Sequence, residues 1–163
     1  MSAVVELTDV TRSFPGPPEV QALRGINLVV ESGQATATLE ADIEAEMDRR
    51  FGLKIAAMAR TPEQWSRLIA ANPFPKEAEA HPAKVVAMVM KAGIKPGALD
   101  AVRALCRDGE RVEAIGDVLY FWFPNGQGQS EIFKKATPRL LGMGTGRNWN
   151  TVLKLAAMAE AKL

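Results

Sequence analysis

The sequence holds one cysteine, Cys106, one histidine, His81, and one tyrosine, Tyr120. A lone thiol cannot close an intrachain disulfide, and one thiol with one imidazole falls short of the ligand sets of protein-built zinc or haem sites. No metal and no cofactor are therefore expected. No apolar run approaches the roughly 18 residues of a membrane span. The run from Val85 to Met90 stops against Lys84 and Lys91. No membrane association is expected. The amino terminus carries no basic start followed by an apolar stretch, so no export signal is read and the expected location is cytoplasmic. No Gly-Lys pair occurs. The phosphate-cradling loop G-x-x-x-x-G-K-S/T is thus missing, and ATP hydrolysis is excluded with it.

What is present is 163 residues, 47% hydrophobic and 24% charged. That suits one average domain or two small subdomains sharing a core. The net charge of +1 hides an asymmetry. Residues 1–83 carry 8 basic and 12 acidic groups, and residues 84–163 carry 12 basic and 7 acidic ones. This falls short of the basic density of a dedicated nucleic-acid binder.

Periodicity divides the chain. Val4, Glu6, Thr8 and Val10 alternate with Val5, Leu7 and Asp9, which predicts a strand. Pro15, Pro17 and Pro18 end it, and a second strand is predicted from Val20 to Val30, interrupted at Gly25, with a turn at Ser32-Gly33. Thr38 is read as the N-cap of a helix with Leu39, Ile43, Met47 and Phe51 on its apolar stripe, closed by Gly52. Glu40 and Glu44 fall on what reads as a solvated face. A short strand is expected over 53–59. Thr61-Pro62-Glu63-Gln64 is a capping box opening a helix that buries Trp65, Leu68 and Ile69.

Residues 73–83 are proline-rich and aperiodic, which reads as a linker between subdomain 1–72 and subdomain 84–163. Beyond it, Val85 to Met90 suits a central strand covered on both faces. A helix with Leu99, Val102, Leu105 and Cys106 follows, then a hairpin around Gly116-Asp117. Next come a helix from Ser130, broken or restarted at Thr137-Pro138, a strand over 142–147, and a last helix capped by Asn148 or Asn150. The fold class is therefore α+β. The second half follows the βαββαβ order of a ferredoxin-like unit, and an amino-terminal β-hairpin with an αβ subdomain precedes it.

Several motifs carry a resemblance. Ser32-Gly33-Gln34, Arg50-Phe51-Gly52, Ala71-Asn72-Pro73-Phe74-Pro75, Leu119-Tyr120-Phe121-Trp122-Phe123-Pro124-Asn125-Gly126 and Arg147-Asn148-Trp149-Asn150-Thr151 resemble the bacterial family named domain of unknown function 1697. The resemblance runs over about residues 32–163. It implies paired ferredoxin-like subdomains and no established activity. Residues 3–34 depart from that family. Val5-Glu6-Leu7, Asp9-Val10-Thr11-Arg12-Ser13-Phe14 and Ala22-Leu23-Arg24-Gly25-Ile26-Asn27-Leu28 resemble the opening β-hairpin of an ABC transporter ATP-binding subunit, while Ala22-Leu23-Arg24-Gly25-Ile26-Asn27 equally resembles the first strand of the other family, which leaves the splice point between the two open. Together these imply a chimera, natural or engineered, in which that hairpin replaces the family's first strand and helix.

The expected function is non-catalytic, and no residue is assigned a catalytic, cofactor-binding or metal-binding role. His81 lies near Glu77 and Glu79 without forming a triad, and Cys106 lies on an apolar stripe, as a structural thiol does. The alternative is a nucleic-acid or nucleotide-binding module. Tyr120 and Trp122 share one sheet face, where aromatics of RNA-recognition modules stack on bases. Arg111, Arg147, Asn148 and Trp149 complete that candidate face. The competing expectation is that the two aromatics pack against the amino-terminal subdomain. Weaker still is an enzyme with a polar site near 125–130 and 147–150. A sheet edge left by the exchanged hairpin could also join two copies as a homodimer.

Overall fold

Local rules place the first elements. In a computed structural model of the protein, residues 3–17, 20–31 and 35–160 are described. The β-branched start forms β1 (Ala3–Phe14), and after the proline-rich break the chain returns as β2 (Val20–Glu31). The two strands pair antiparallel as a sheet of their own. The interruption expected at Gly25 is a register shift between the pairs Val10 with Ile26 and Arg12 with Leu23, while β2 stays continuous. Such a bulge lets one strand carry an extra residue without ending. The turn expected at Ser32-Gly33 and the side-chain faces expected for this hairpin lie outside the described residues.

Helix α1 (Thr36–Phe51) starts ahead of the expected Thr38, with Ala35 as its N-cap and no side-chain cap bond. Gly52 closes it in the left-handed region at φ 63°, and its N–H donates to the Asp48 carbonyl at 2.8 Å. The strand expected over 53–59 does not form. Instead the Ala57 N–H donates to Glu44 Oε1 at 2.8 Å and the Ala59 N–H to Glu40 Oε1 at 2.7 Å. Glu40 is accordingly buried, which corrects the solvated face read for these two carboxylates. Residues four apart stack on one side of a helix, so the two carboxylates meet backbone amides two residues apart. Each takes the donor that a neighbouring strand would have bonded.

The chain divides into two compact units, Met1–Ala59 and Arg60–Leu163. The second opens with α2 (Pro62–Ala70), whose capping box is complete: Gln64 N–H donates to Thr61 Oγ1 at 3.2 Å, and Thr61 N–H donates to Gln64 Oε1 at 2.9 Å. Residues 73–83, expected as a linker, hold α3 (Pro75–Ala80) and most of a 3-10 turn (Pro82–Lys84). A proline at the first helical position starts a helix as readily as one elsewhere breaks it. Phe74 and Ala78 are buried, which fastens this stretch to the core.

The remaining elements are β3 (Val85–Met90), α4 (Ala98–Arg103), β4 (Arg111–Ile115), β5 (Val118–Trp122), α5 (Glu131–Lys135), α6 (Pro138–Leu141), β6 (Gly144–Asn148) and α7 (Trp149–Glu160). The strands form one sheet in the order β4-β5-β3-β6, each neighbour antiparallel. Val86 sits opposite both Phe121 and Asn148. Pro138 starts a separate short helix with Thr137 at its N-cap. Asn148 caps α7, its Oδ1 accepting from the Thr151 N–H and hydroxyl, each at 3.0 Å. Gly144 is required by close approach, because a Cβ there would lie 2.6 Å from Met90 Sδ and 3.0 Å from the Val89 carbonyl.

Period-2 alternation in β3 and β5 sorts the core into two clusters, one on each sheet face. On one face Val85, Ala87, Val89, Val118 and Tyr120 meet Leu68, Phe74 and Ala78 of the α2–α3 stretch and Trp149 and Val152 of α7. On the other, Val86, Met90, Leu119, Phe121 and Phe123 meet Ala98 and Val102 of α4, Ile132 of α5 and Leu141 of α6. Burying a side chain of this size contributes about 1.5–3 kcal/mol, so both layers hold the sheet. No helix among the described residues is long and apolar enough to cross a membrane.

Candidate functional site

The aromatic face read from the sequence is closed. Tyr120 is fully buried, and its hydroxyl donates to the Leu68 carbonyl at 2.7 Å. Trp149 is buried in the same cluster. Trp122 is partly buried and stacks on His81, with ring centroids 6.2 Å apart. Arg111 pairs with Glu77 and lies over the Phe74 ring at 4.8 Å. The Arg111 guanidinium holds the Glu77 carboxyl below its usual range, and the backbone of Glu77 itself assists. Base stacking on Tyr120 or Trp149 is thereby corrected to core packing. The physical reason is that α2, α3 and α7 cover this sheet face, whereas RNA-recognition modules leave the corresponding face open.

Arg147 remains exposed, its guanidinium donating to the Gly146 carbonyl at 2.8 Å, and Asn148 serves the α7 cap. The structure does not gather Tyr120, Trp122, Arg111, Arg147, Asn148 and Trp149 into one open surface. Cys106 is partly buried against α4, and burial together with Glu110 pushes its thiol up. Among the described residues no group of three His, Cys, Asp or Glu side chains could hold a metal ion.

A concave feature with charged walls lies elsewhere. A cleft of about 340 Å³ runs between α2 and the β4–β5 turn, lined by Arg60, Gln64, Arg67, Leu68, Ile115 and Asp117 among others. Gln64 and Arg67 lie three apart on one side of α2, and Arg60, just before the Thr61 cap, joins them at the cleft. Arg60 is positioned from behind: its Nη2 donates to Asp117 Oδ2 at 2.8 Å and to the Met90 carbonyl at 3.1 Å. Its side chain keeps 18% of its exposure, against 50% for Asp117. Arg67 is exposed at the same cleft.

The capping box occupies Gln64 Oε1, which leaves the Nε2 donors facing outward chemistry. Tyr120 forms part of the wall, and burial first, then the Asp117 charge, pushes its hydroxyl up to about 12. The cleft thus offers two guanidinium groups and an amide donor against one carboxylate, beside the apolar sides of Leu68, Ile115 and Val118. This is the donor set for a carboxylate or phosphate on an apolar body. Sequence reasoning missed it. The spacing of Arg60, Gln64 and Arg67 was readable, but Asp117 arrives from a turn 57 residues away.

Residues 24–120 match the family described as a protein of unknown function, DUF1697, and the matched part is more than half of the chain. No curated protein and no solved structure matches the chain.

Proposed function

The chain belongs to the DUF1697 family, and we propose, from the arginine cleft, that it is a non-catalytic binding protein whose ligand is a small organic anion. The observation that carries this reading is Arg60, held in the cleft wall by Asp117 and Met90 with Arg67 beside the same cleft. A guanidinium fixed in advance loses little freedom on binding, and two of them discriminate for anions through charge-assisted bonds. Calorimetry with phenyl phosphate and benzoate tests it. Binding should weaken with rising salt and fall about tenfold in Arg67→Gln, the loss of one charged hydrogen bond. No heat with either probe at millimolar concentration overturns the reading.

The strand order β4-β5-β3-β6 supports a ferredoxin-like second unit, with α4 connecting β3 to β4 and α5–α6 connecting β5 to β6. The family match starts at residue 24, inside β2, so β1 and the start of β2 lie outside it. Residues 24–31 of β2 fall inside the match, so a chimera in which a hairpin like that of an ABC transporter ATP-binding subunit replaces the family's first strand and helix rests on the motifs of residues 3–23 alone. ATP hydrolysis should stay at background, and turnover of ATP to ADP would contradict the missing phosphate loop. The outer strands β4 and β6 each have one sheet neighbour among the described residues, which supports edge-to-edge association of two copies, testable by light scattering.

A further inference from the structure

A second cavity, of about 310 Å³, opens on the opposite face of the four-stranded sheet from the arginine cleft. Its floor comes from Val86 and Met88 of β3 together with Phe121 and Phe123, whose rings stack 5.6 Å apart. Beside them β6 contributes Gly146, which brings no side chain; a Cβ there would already lie 3.4 Å from Val86 Cγ1 and 3.5 Å from Met88 Cε. At the rim, Phe133 of α5 is 62% exposed. An aromatic ring standing in water beside an apolar cavity is a ready stacking surface.

The polar complement is specific. Among the described residues no charged side chain lines this cavity, but two amides do, Gln127 and Asn148. The α7 cap occupies Asn148 Oδ1 with two hydrogen bonds from Thr151, which fixes the oxygen end of that amide. What Asn148 has left to offer is the Nδ2 donor. A charged ligand would lose its hydration here with no opposite charge to replace it. A wholly aliphatic one would bury amides without partners. The volume lies at the small end of the roughly 300–1,000 Å³ typical of ligand sites, which suits a one- or two-ring molecule.

We infer that this cavity binds a neutral, planar nitrogen heterocycle, its ring lying between the sheet floor and Phe133 and its acceptor edge on Asn148 Nδ2 and Gln127. The site is separate from the anion cleft, and either can exist without the other.

Titration of the full chain with quinazolin-4-one, followed by amide NMR, is the test, with indole as a bicyclic probe that lacks an acceptor. Saturable shifts at residues 127, 133 and 146 and at the Asn148 side-chain NH2 are expected. Indole should bind about tenfold more weakly, the worth of one hydrogen bond. Asn148→Asp keeps the oxygen that caps α7 and removes the donor, so it should weaken quinazolin-4-one about tenfold while preserving the melting temperature. Phe133→Ala changes an exposed side chain and should weaken both probes. Absence of shifts at millimolar probe overturns the inference. So does equal affinity for the two probes, or Asn148→Asp binding like the unaltered chain.

Discussion

The hydroxyl of Tyr120 donates to the carbonyl of Leu68 at 2.7 Å, tying the sheet to the end of α2 across 52 residues of sequence. Leu68 belongs to the last turn of that helix, where carbonyls have no intrahelical partner. The phenol therefore acts as a C-terminal cap supplied from a distant strand, and it forms part of the wall of the arginine cleft as well.

Tyr120→Phe should cost about 1–2 kcal/mol, because the ring keeps its packing while a buried carbonyl loses its donor. Urea unfolding measures it through a lower midpoint at unchanged slope. A variant as stable as the unaltered chain would show that the bond contributes nothing net.

The same phenol predicts a pH dependence. Its folded pKa of about 12 exceeds the ordinary 10.0, through burial and the Asp117 charge. A raised folded pKa means that the folded state holds the proton more tightly. The contribution is complete below pH 10.0 and is lost as pH climbs toward about 12. Tyrosinate absorbance should stay flat through pH 10 in the folded protein. Ordinary titration at that pH would place the ring in solvent.

Glu40→Ala and Glu44→Ala should each release the segment after α1. A hydrogen bond to a charged group contributes about 1.5–3 kcal/mol. Hydrogen exchange at the Ala59 amide should quicken in the first variant and at the Ala57 amide in the second. Glu40→Gln retains an acceptor and should stand between Glu40→Ala and the unaltered chain.

Gly144→Ala should destabilise by about 1–3 kcal/mol, the usual cost of forcing atoms into a filled space. The added methyl would press on Met90 Sδ and on the Val89 carbonyl, and the backbone oxygen cannot swing aside. Gly128→Ala is the matched control, since a Cβ there meets open space. Thermal melts of the two variants should separate clearly.

Most of the second unit was readable from local chemistry. The capping box at Thr61, the two-sided burial of Val85 to Met90 and the turn at Gly116-Asp117 each follow from residues within one element. What escaped depends on partners far away in sequence. Glu40 looks solvated until the backbone at Ala59 comes to it, and residues 73–83 look like a linker until Phe74 finds the sheet. Tyr120 looks available to bases until Leu68 covers it. The candidate cleft was hidden for the same reason: Arg60 and Arg67 are a few residues apart, but their fixed geometry depends on Asp117.

The central position of β3 bears on how the protein is made. Both of its hydrogen-bonding neighbours, β5 and β6, come later in the chain. While the polypeptide emerges from the ribosome, Val85 to Met90 waits as an unpaired, β-prone and uncharged segment of the kind that nucleates aggregation. Lys84 and Lys91 bracket it, and charges in those flanking positions act as gatekeepers. Replacing that pair by neutral residues would lower the soluble yield of newly made chains more than it lowers the stability of finished ones.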